Sequence, residues 1–331
     1  MNLIRDLETL SNPLRNAVLT IGNFDGVHRG HLALFDLVKQ RAEAIDGRSA
    51  VMTFEPHPLK VIKKGNGPPI ITATEQKLKL IRDAGIEVIF CIPFTIDFAS
   101  ISAETFVREV LVKRIGVKEV VVGHDYTFGR GRQGNLQLLQ RMGQDLEFKV
   151  HLVGPVHINH TLVSSTSIRT LIREGNLQEA KRLLGRDFQV WGTVVKGANR
   201  GGRLLGFPTA NLKPSDQLTP KPGVYAVSVD IEGEHHFGVT NVGYNPTFGD
   251  SALSVETHIL DFSRDIVGQE IKLGFLHRLR DEKRYDSVKE LTDQISQDIR
   301  DARHWFEEHS RMPSDKQSLT LETRHPVAGG A

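Results

Sequence analysis

The 331-residue chain exceeds one ordinary domain, so two domains with separate cores are the first expectation. With 39% hydrophobic and 25% charged residues, and 42 Lys+Arg against 40 Asp+Glu, it is globular and lacks the basic excess of a protein built to hold a polyanion such as DNA. One cysteine, Cys91, cannot form an internal disulfide, no apolar stretch reaches the roughly 18 residues of a membrane span, and MNLIRDLETL lacks an export-signal pattern, so a cytoplasmic protein with neither nucleic-acid nor membrane partners is expected.

The first half alternates between two rhythms. AVLTIG (17–22), SAVMTF (49–54), VIFCIPF (88–94) and EVVVG (119–123) read as strands buried on both faces. Between them Phe35, Val38, Ala42 and Ile45 recur at helical spacing, and similar patterns cover 76–84 and 104–115. The alternation predicts a doubly wound α/β domain over 1–185, with its ligand crevice beyond the carboxyl ends of parallel strands. Past Arg186, FQVWGTVVKG, GVYAVSVDI, HFGVTNVGY, SVETHILDF and EIKLGFLHRL, separated by glycine, proline and asparagine, predict a small antiparallel β-barrel or sandwich over 186–309. Val288, Leu291, Ile295, Ile299, Ala302 and Trp305 or Phe306 then mark one helix expected to close it, and the aperiodic 310–331 is expected to be a disordered tail.

The string IGNFDGVHRGH (21–31) sits where the first strand gives way to the first helix. A helix start offers unpaired N–H groups and partial positive charge to an anion, and Gly22, Gly26 and Gly30 let backbone approach a ligand closely. His28 and His31 add two donors able to follow charge moving onto phosphoryl oxygens. A bare H-x-x-H would be read as surface histidines in a turn. Further on, Ser164, Ser165 and Thr166 precede a helix whose free N–H groups they can cap, with Arg169 one turn in. Gly129, Gly131 and Gly134 spell G-x-G-x-x-G but lie five residues and more beyond their strand, where the dinucleotide fingerprint makes the tight turn itself, so a flexible glycine-arginine loop beside phosphates is expected. The chain has no Gly-Lys dipeptide, which excludes a P-loop kinase.

His28-Arg29-Gly30-His31 resembles the H-x-G-H signature of the nucleotidylyltransferase superfamily. Together with TFEPHP (53–58), VVGHDYTFGRGRQG (121–134) and SSTSIRTLIREGNLQEAKRLLGRDF (164–188), it resembles the N-terminal module of the bacterial bifunctional riboflavin kinase/FMN adenylyltransferase family. That resemblance implies that Gly22, Phe24, Gly30, Ser164, Ser165, Thr166 and Arg169 hold ATP, and that His57, Asp125 and Phe128 line the flavin or nucleotide side of the pocket.

In the second half, VVKGANRGGRLLGFPTANL (194–212) is rich enough in glycine, Gly197 and Gly206 among them, to wrap a phosphate chain with backbone amides. Thr209 and Asn211 offer neutral oxygens suited to Mg²⁺, although PTAN alone could be a turn opening a strand. With PGVYAV (222–227), TNVGYNPTFG (240–249) and VETHILDF (255–262), the segment resembles the riboflavin kinase barrel, so the likeness runs from about Leu19 to Phe306. By that resemblance Glu256 is the catalytic base. Strand alternation puts Glu256 and His258 on one face, and Arg280 is expected to face flavin or ADP. The implied reactions are riboflavin plus ATP to FMN, then FMN plus ATP to FAD and pyrophosphate, both with Mg²⁺. Two alternatives stand beside this: an adenylyl or cytidylyl transfer to another acceptor, such as pantetheine phosphate or nicotinamide mononucleotide, and a non-catalytic flavin-binding regulator. The first leaves the barrel without a purpose and the second has no need of Glu256.

Overall fold

The computed structural model describes residues 2–196, 207–214, 216–244 and 253–309. Residues 1–284 form one compact unit and the rest a second. In the first unit β1 (Asn2–Ile4), β2 (Ala17–Ile21), β3 (Ser49–Glu55), β4 (Val88–Pro93), β5 (Val117–Gly123) and β6 (Lys149–Val153) form an all-parallel sheet in the order β1-β4-β3-β2-β5-β6. The four apolar runs are its four central strands. Alternate residues serve opposite faces: Leu19 packs with Phe90 and Phe106, while Val18 packs with Phe35 and Ile89.

Helices cover both faces. α1 (Arg29–Ala44) buries Phe35, Val38 and Ala42 as its spacing predicts. After α2 (Pro58–Ile62), α3 (Thr74–Asp83) and α4 (Ile96–Ser100), α5 (Ala103–Thr105) continues as a π-helix, Phe106–Ile115, that ends on Gly116 at φ +79°. α6 (Leu136–Asp145), a ribbon of β7 (His157–Ile158) and β8 (Thr161–Leu162), α7 (Ser165–Glu174) and α8 (Leu177–Leu184) follow. β2 pairs with β3 on one side and β5 on the other. The connection order reverses there, so the loops after β2 and β5 meet at the topological switch point.

The barrel reading is also correct, and the sandwich option falls. β9 (Phe188–Val195), β10 (Ala210–Pro214), β11 (Gly223–Ile231), β12 (Glu234–Tyr244), β13 (Leu253–Ile259) and β14 (Glu270–Arg280) close in the order β10-β13-β12-β11-β14-β9. Val194, Leu212, Val255 and Val242 are cross-strand neighbours and all buried, which defines the inner face. Inside, Tyr225 meets Phe275 edge-on at 5.3 Å, and the Thr240 and Thr257 hydroxyls satisfy each other at 2.8 Å. One apolar cluster runs from Ile168, Ile172 and Leu183 on α7 and α8 into Phe188, Val227 and Leu273 of the barrel. The second unit contains α9 (Val288–His309), the helix read from its spacing, with Trp305 stacked on His309 at 4.2 Å. The expected tail, 310–331, lies outside the described residues.

Candidate active sites

The loop after β2 holds an uncommon backbone. Phe24, Gly26 and Val27 take φ of +48°, +88° and +37°, and a β-branched residue is costly there. Tertiary contacts hold it: Phe24 and Val27 are buried, the Gly26 amide donates to Thr72 Oγ1 at 3.1 Å, and Arg186 donates to the Gly26 and Val27 carbonyls. The loop delivers His28 to the N-cap of α1, where His28 Nδ1 accepts from the His31 amide at 3.3 Å and His31 Nδ1 from the His28 amide at 3.4 Å. The rings stack with centroids 3.5 Å apart, and Phe24 sets its edge against His31 at 5.1 Å.

This geometry fixes the proton. A ring nitrogen that accepts a backbone N–H carries none, so each neutral imidazole presents Nε2–H as its donor. Burial pushes the His28 pKa down to about 4, and burial, then the neighbouring His28, lowers that of His31. Both rings are neutral donors at pH 7. Gly30 suits the stack, because a Cβ there would press on the His28 ring at 3.2 Å. The Gly22 amide is committed to Met52 O at 3.0 Å, and its missing side chain makes room for Phe24.

Asp25 ties the loop to distant segments. Its carboxylate, 4% exposed, accepts from the Ile71 and Thr72 amides at 2.9 and 3.1 Å and from Arg169 at 2.5 Å. Arg169 also donates Nε to Pro69 O at 3.0 Å, so it is a buried positioning group. Ser164 caps α7 by accepting from the Ser167 amide at 3.1 Å, Ser165 donates to Asp25 O at 2.9 Å, and Thr166 is exposed on the first turn. His57, buried, caps α2 by accepting from the Leu59 amide at 3.1 Å, and burial lowers its pKa. Asp125 is exposed just beyond β5. Phe128 is buried, stacked on Tyr126 at 5.4 Å. The glycines after it answer to packing: a Cβ on Gly129 would lie 2.7 Å from Ala103 Cα, and one on Gly134 would lie 2.8 Å from the Phe128 ring.

Three cations around the paired histidines escape a sequence reading. Lys77 on α3 is 6% exposed and donates to Phe54 O at 3.0 Å. Arg186 and Arg29 each bury Nε without a hydrogen-bond partner among the described residues. Burial lowers the Arg186 pKa to about 10. The signal for Arg186 was its place in the family-like string ending at Phe188. Lys77 gave none, since the helical pattern over 76–84 marks its apolar residues as the packed face and a lysine among them as solvated.

In the barrel, cross-strand register does the assembling. Asn211 on β10 lies opposite Glu256 on β13, Glu256 opposite Asn241 on β12, Asn241 opposite Val224 on β11, and Val224 opposite Arg280 on β14. Directly paired residues share a face, so Asn211, Glu256, Asn241 and Arg280 form one row on the outer face while Val255 and Thr257 point inward. Glu256 and His258 do share a face, and both are half-buried. His258 Nδ1 lies 2.9 Å from Pro208 O, next to Thr209. Asn241 was not singled out from sequence; only strand register brings it beside Glu256. Gly197 and Gly206 lie outside the described residues.

Comparison with known proteins follows the same division. Residues 10–167 match the family model of FAD synthetase, and residues 184–306 that of riboflavin kinase. A bifunctional riboflavin kinase/FMN adenylyltransferase of Escherichia coli (strain K12) is 38% identical over 308 residues, covering 92% of this chain and 98% of the relative. One from Buchnera aphidicola subsp. Acyrthosiphon pisum is 35% identical over 312 residues, covering 93% and 99%. A crystal structure from Streptococcus pneumoniae, described as a macrolide-efflux protein, superposes with a TM-score of 0.80 at 32% identity, covering 92% and 98%. Among the described residues of the present chain no helix is long and apolar enough to cross a membrane.

Proposed function

The chain belongs to the family of bifunctional riboflavin kinases/FMN adenylyltransferases, phosphorylating riboflavin to FMN and adenylylating FMN to FAD, and from that premise we propose how its residues divide the work. Residues 1–185 form the adenylyl-transfer domain and 186–309 the kinase domain. The observation that carries the division is the contrast between their carboxylates. Asp25 is buried and held by backbone amides and Arg169, and Glu256, half-buried, lies by strand register between Asn211 and Asn241 on the outer barrel face.

In adenylyl transfer an FMN phosphate oxygen attacks the α-phosphorus of ATP and pyrophosphate departs. A phosphate monoester, with a second pKa near 6, is already largely dianionic at neutral pH and calls for no base. The Nε2–H groups of His28 and His31 donate to oxygens on which charge develops, the helix starts at His28 and Ser164 favour the triphosphate, and Arg169 and Asp25 hold the loop in register. In the kinase step the nucleophile is a neutral alcohol. Glu256 takes the proton of the riboflavin 5′-hydroxyl as its oxygen attacks the γ-phosphorus and ADP leaves. The Thr209 hydroxyl and Asn211 amide oxygen make a hard, neutral donor set that fits Mg²⁺ bound mainly through phosphates and water, whose chemistry is charge neutralisation on the transferred group. Arg280, at the far end of the row, faces flavin or ADP. A cytoplasmic location with small-molecule partners only completes the proposal, supported by the lone buried Cys91 and the even charge balance.

The test is incubation of the purified chain with riboflavin, ATP and Mg²⁺, followed by chromatography of the flavins. FMN should appear first and FAD after it. FMN alone would overturn the roles given to the histidine loop, and flavin binding without turnover would favour the regulator.

A further inference from the structure

Lys77 is a lysine in the wrong place for stability. It is 6% exposed, and among the described residues its ammonium has a single acceptor within hydrogen-bond reach, Phe54 O at 3.0 Å. An ammonium has three donors, and burying one without a carboxylate partner is costly. The acidic side chain that follows Phe54, Glu55, favours the ammonium through its charge, but its hydrogen bond is to the Thr74 hydroxyl at 2.6 Å. Lys77 thus keeps unspent donors beside the adenylyl site.

Its position names the occupant. The strand whose carbonyl it meets, β3, is bonded to the signature loop one and two residues before Phe54, through Thr53 Oγ1 to Asn23 O at 3.0 Å and Gly22 N–H to Met52 O at 3.0 Å. The positive charge of Lys77 is felt by both His31 and His57, which places it in the field of the same pocket. A nucleotide in a doubly wound sheet lies at the switch point, here between β2 and β5. Lys77 stands on the opposite flank of β2, along β3. A displacement at phosphorus brings acceptor and leaving group roughly in line. With the nucleotide on the β5 side, the acceptor must enter from the β3 side, past Lys77.

The geometry points to Lys77 as the binding group for the phosphate of FMN, the dianionic acceptor of adenylyl transfer. The assignment rests on the division of sites proposed above. A lysine suits it, because a compact ammonium with three rotatable donors follows a tetrahedral dianion without imposing one approach.

The test is Lys77→Met in the full chain, with Lys77→Arg beside it, measuring KM for FMN and for ATP in FAD formation, riboflavin phosphorylation, and Tm without ligand. Losing a charged hydrogen bond to a phosphate should raise KM for FMN roughly ten- to hundred-fold, with KM for ATP little changed and part of the loss restored in Lys77→Arg. Kinase turnover should stay at the wild-type level. Tm should hold or rise, because a buried, under-partnered charge has been replaced by an apolar chain of similar length. A purely structural lysine would move the other way, with Tm falling and both KM values unchanged per folded molecule, and that result overturns the proposal. So does a rise in KM for ATP alone, which would assign Lys77 to the nucleotide. Failure of the wild-type chain to make FAD from supplied FMN would instead strike the reading on which this rests, so the two failures are distinct.

Discussion

The two sites solve the same problem, phosphorus transfer from ATP, with opposite surroundings. Around the paired histidines the protein buries Lys77 and Arg169 and the Nε of Arg186, neutralises both imidazoles by desolvation, and spends its carboxylate on structure. On the barrel it lines up Asn211, Glu256 and Asn241 with the carboxylate half-buried. The difference follows the acceptor. A phosphate arrives with its charge and needs cations and fixed donors, whereas an alcohol arrives neutral and needs a group to take its proton.

The largest effect should come from removing the base. Glu256→Gln keeps the shape of the row but cannot accept a proton, and FMN formation should fall roughly hundred- to ten-thousand-fold. Conversion of supplied FMN to FAD should stay near wild type, measured by flavin chromatography in the two half-reactions. The converse change, His28→Ala with His31→Ala, should cost roughly a hundred- to a thousand-fold in FAD formation and spare the kinase. If either variant silences both half-reactions while still folded, the contrast between the sites collapses.

A third substitution probes whether Asp25 is structural. Asp25→Ala leaves Arg169 buried without its carboxylate and frees the Ile71 and Thr72 amides, and should cost about 3 kcal/mol of stability. Thermal unfolding of the variant measures it. Unchanged Tm with lost FAD synthesis would instead make Asp25 a participant in the chemistry and weaken the claim that this site works without a base.

What the sequence disclosed and what it withheld have physical reasons. The central strands were legible because both faces are buried, which writes continuous apolar runs. The edge strands β1 and β6 were not, since β1 has three residues and β6 leaves Lys149 and Leu152 exposed, so neither writes a continuous run. β10, five residues ending on a proline, hid inside a segment read for its glycines. His28, His31, Asn211 and Glu256 were legible through the family resemblance of the whole strings around them, since H-x-x-H or PTAN alone reads as a turn. The pairing of Asp25 with Arg169, 144 residues apart, is invisible before folding. Lys77 was masked by the sequence around it, because an amphipathic stripe shows which face is buried only when the hidden residues are apolar, and here Gln76 and Lys77 are buried beside Leu78 and Ile81.

The smallest effect concerns acid, and it should fall on one site first. The folded pKa of His28 is about 4 against an ordinary 6.5, so between those values the unfolded chain binds more protons than the folded one. Its stabilising contribution is complete above pH 6.5 and is lost as pH falls toward 4, about 2 kcal/mol by pH 5 at one pKa unit per 1.36 kcal/mol. His31 and His57, lowered in the same direction, steepen the loss. Amide protection, corrected for the slowing of base-catalysed intrinsic exchange in acid, should therefore fall at residues 22–31 between pH 7 and pH 5 before it falls in β11. His28→Asn keeps an N-cap acceptor while removing the titrating group, and should flatten that dependence. Equal acid sensitivity in loop and barrel, unchanged by the substitution, would show that burial of the imidazoles is not what ties this loop to neutral pH.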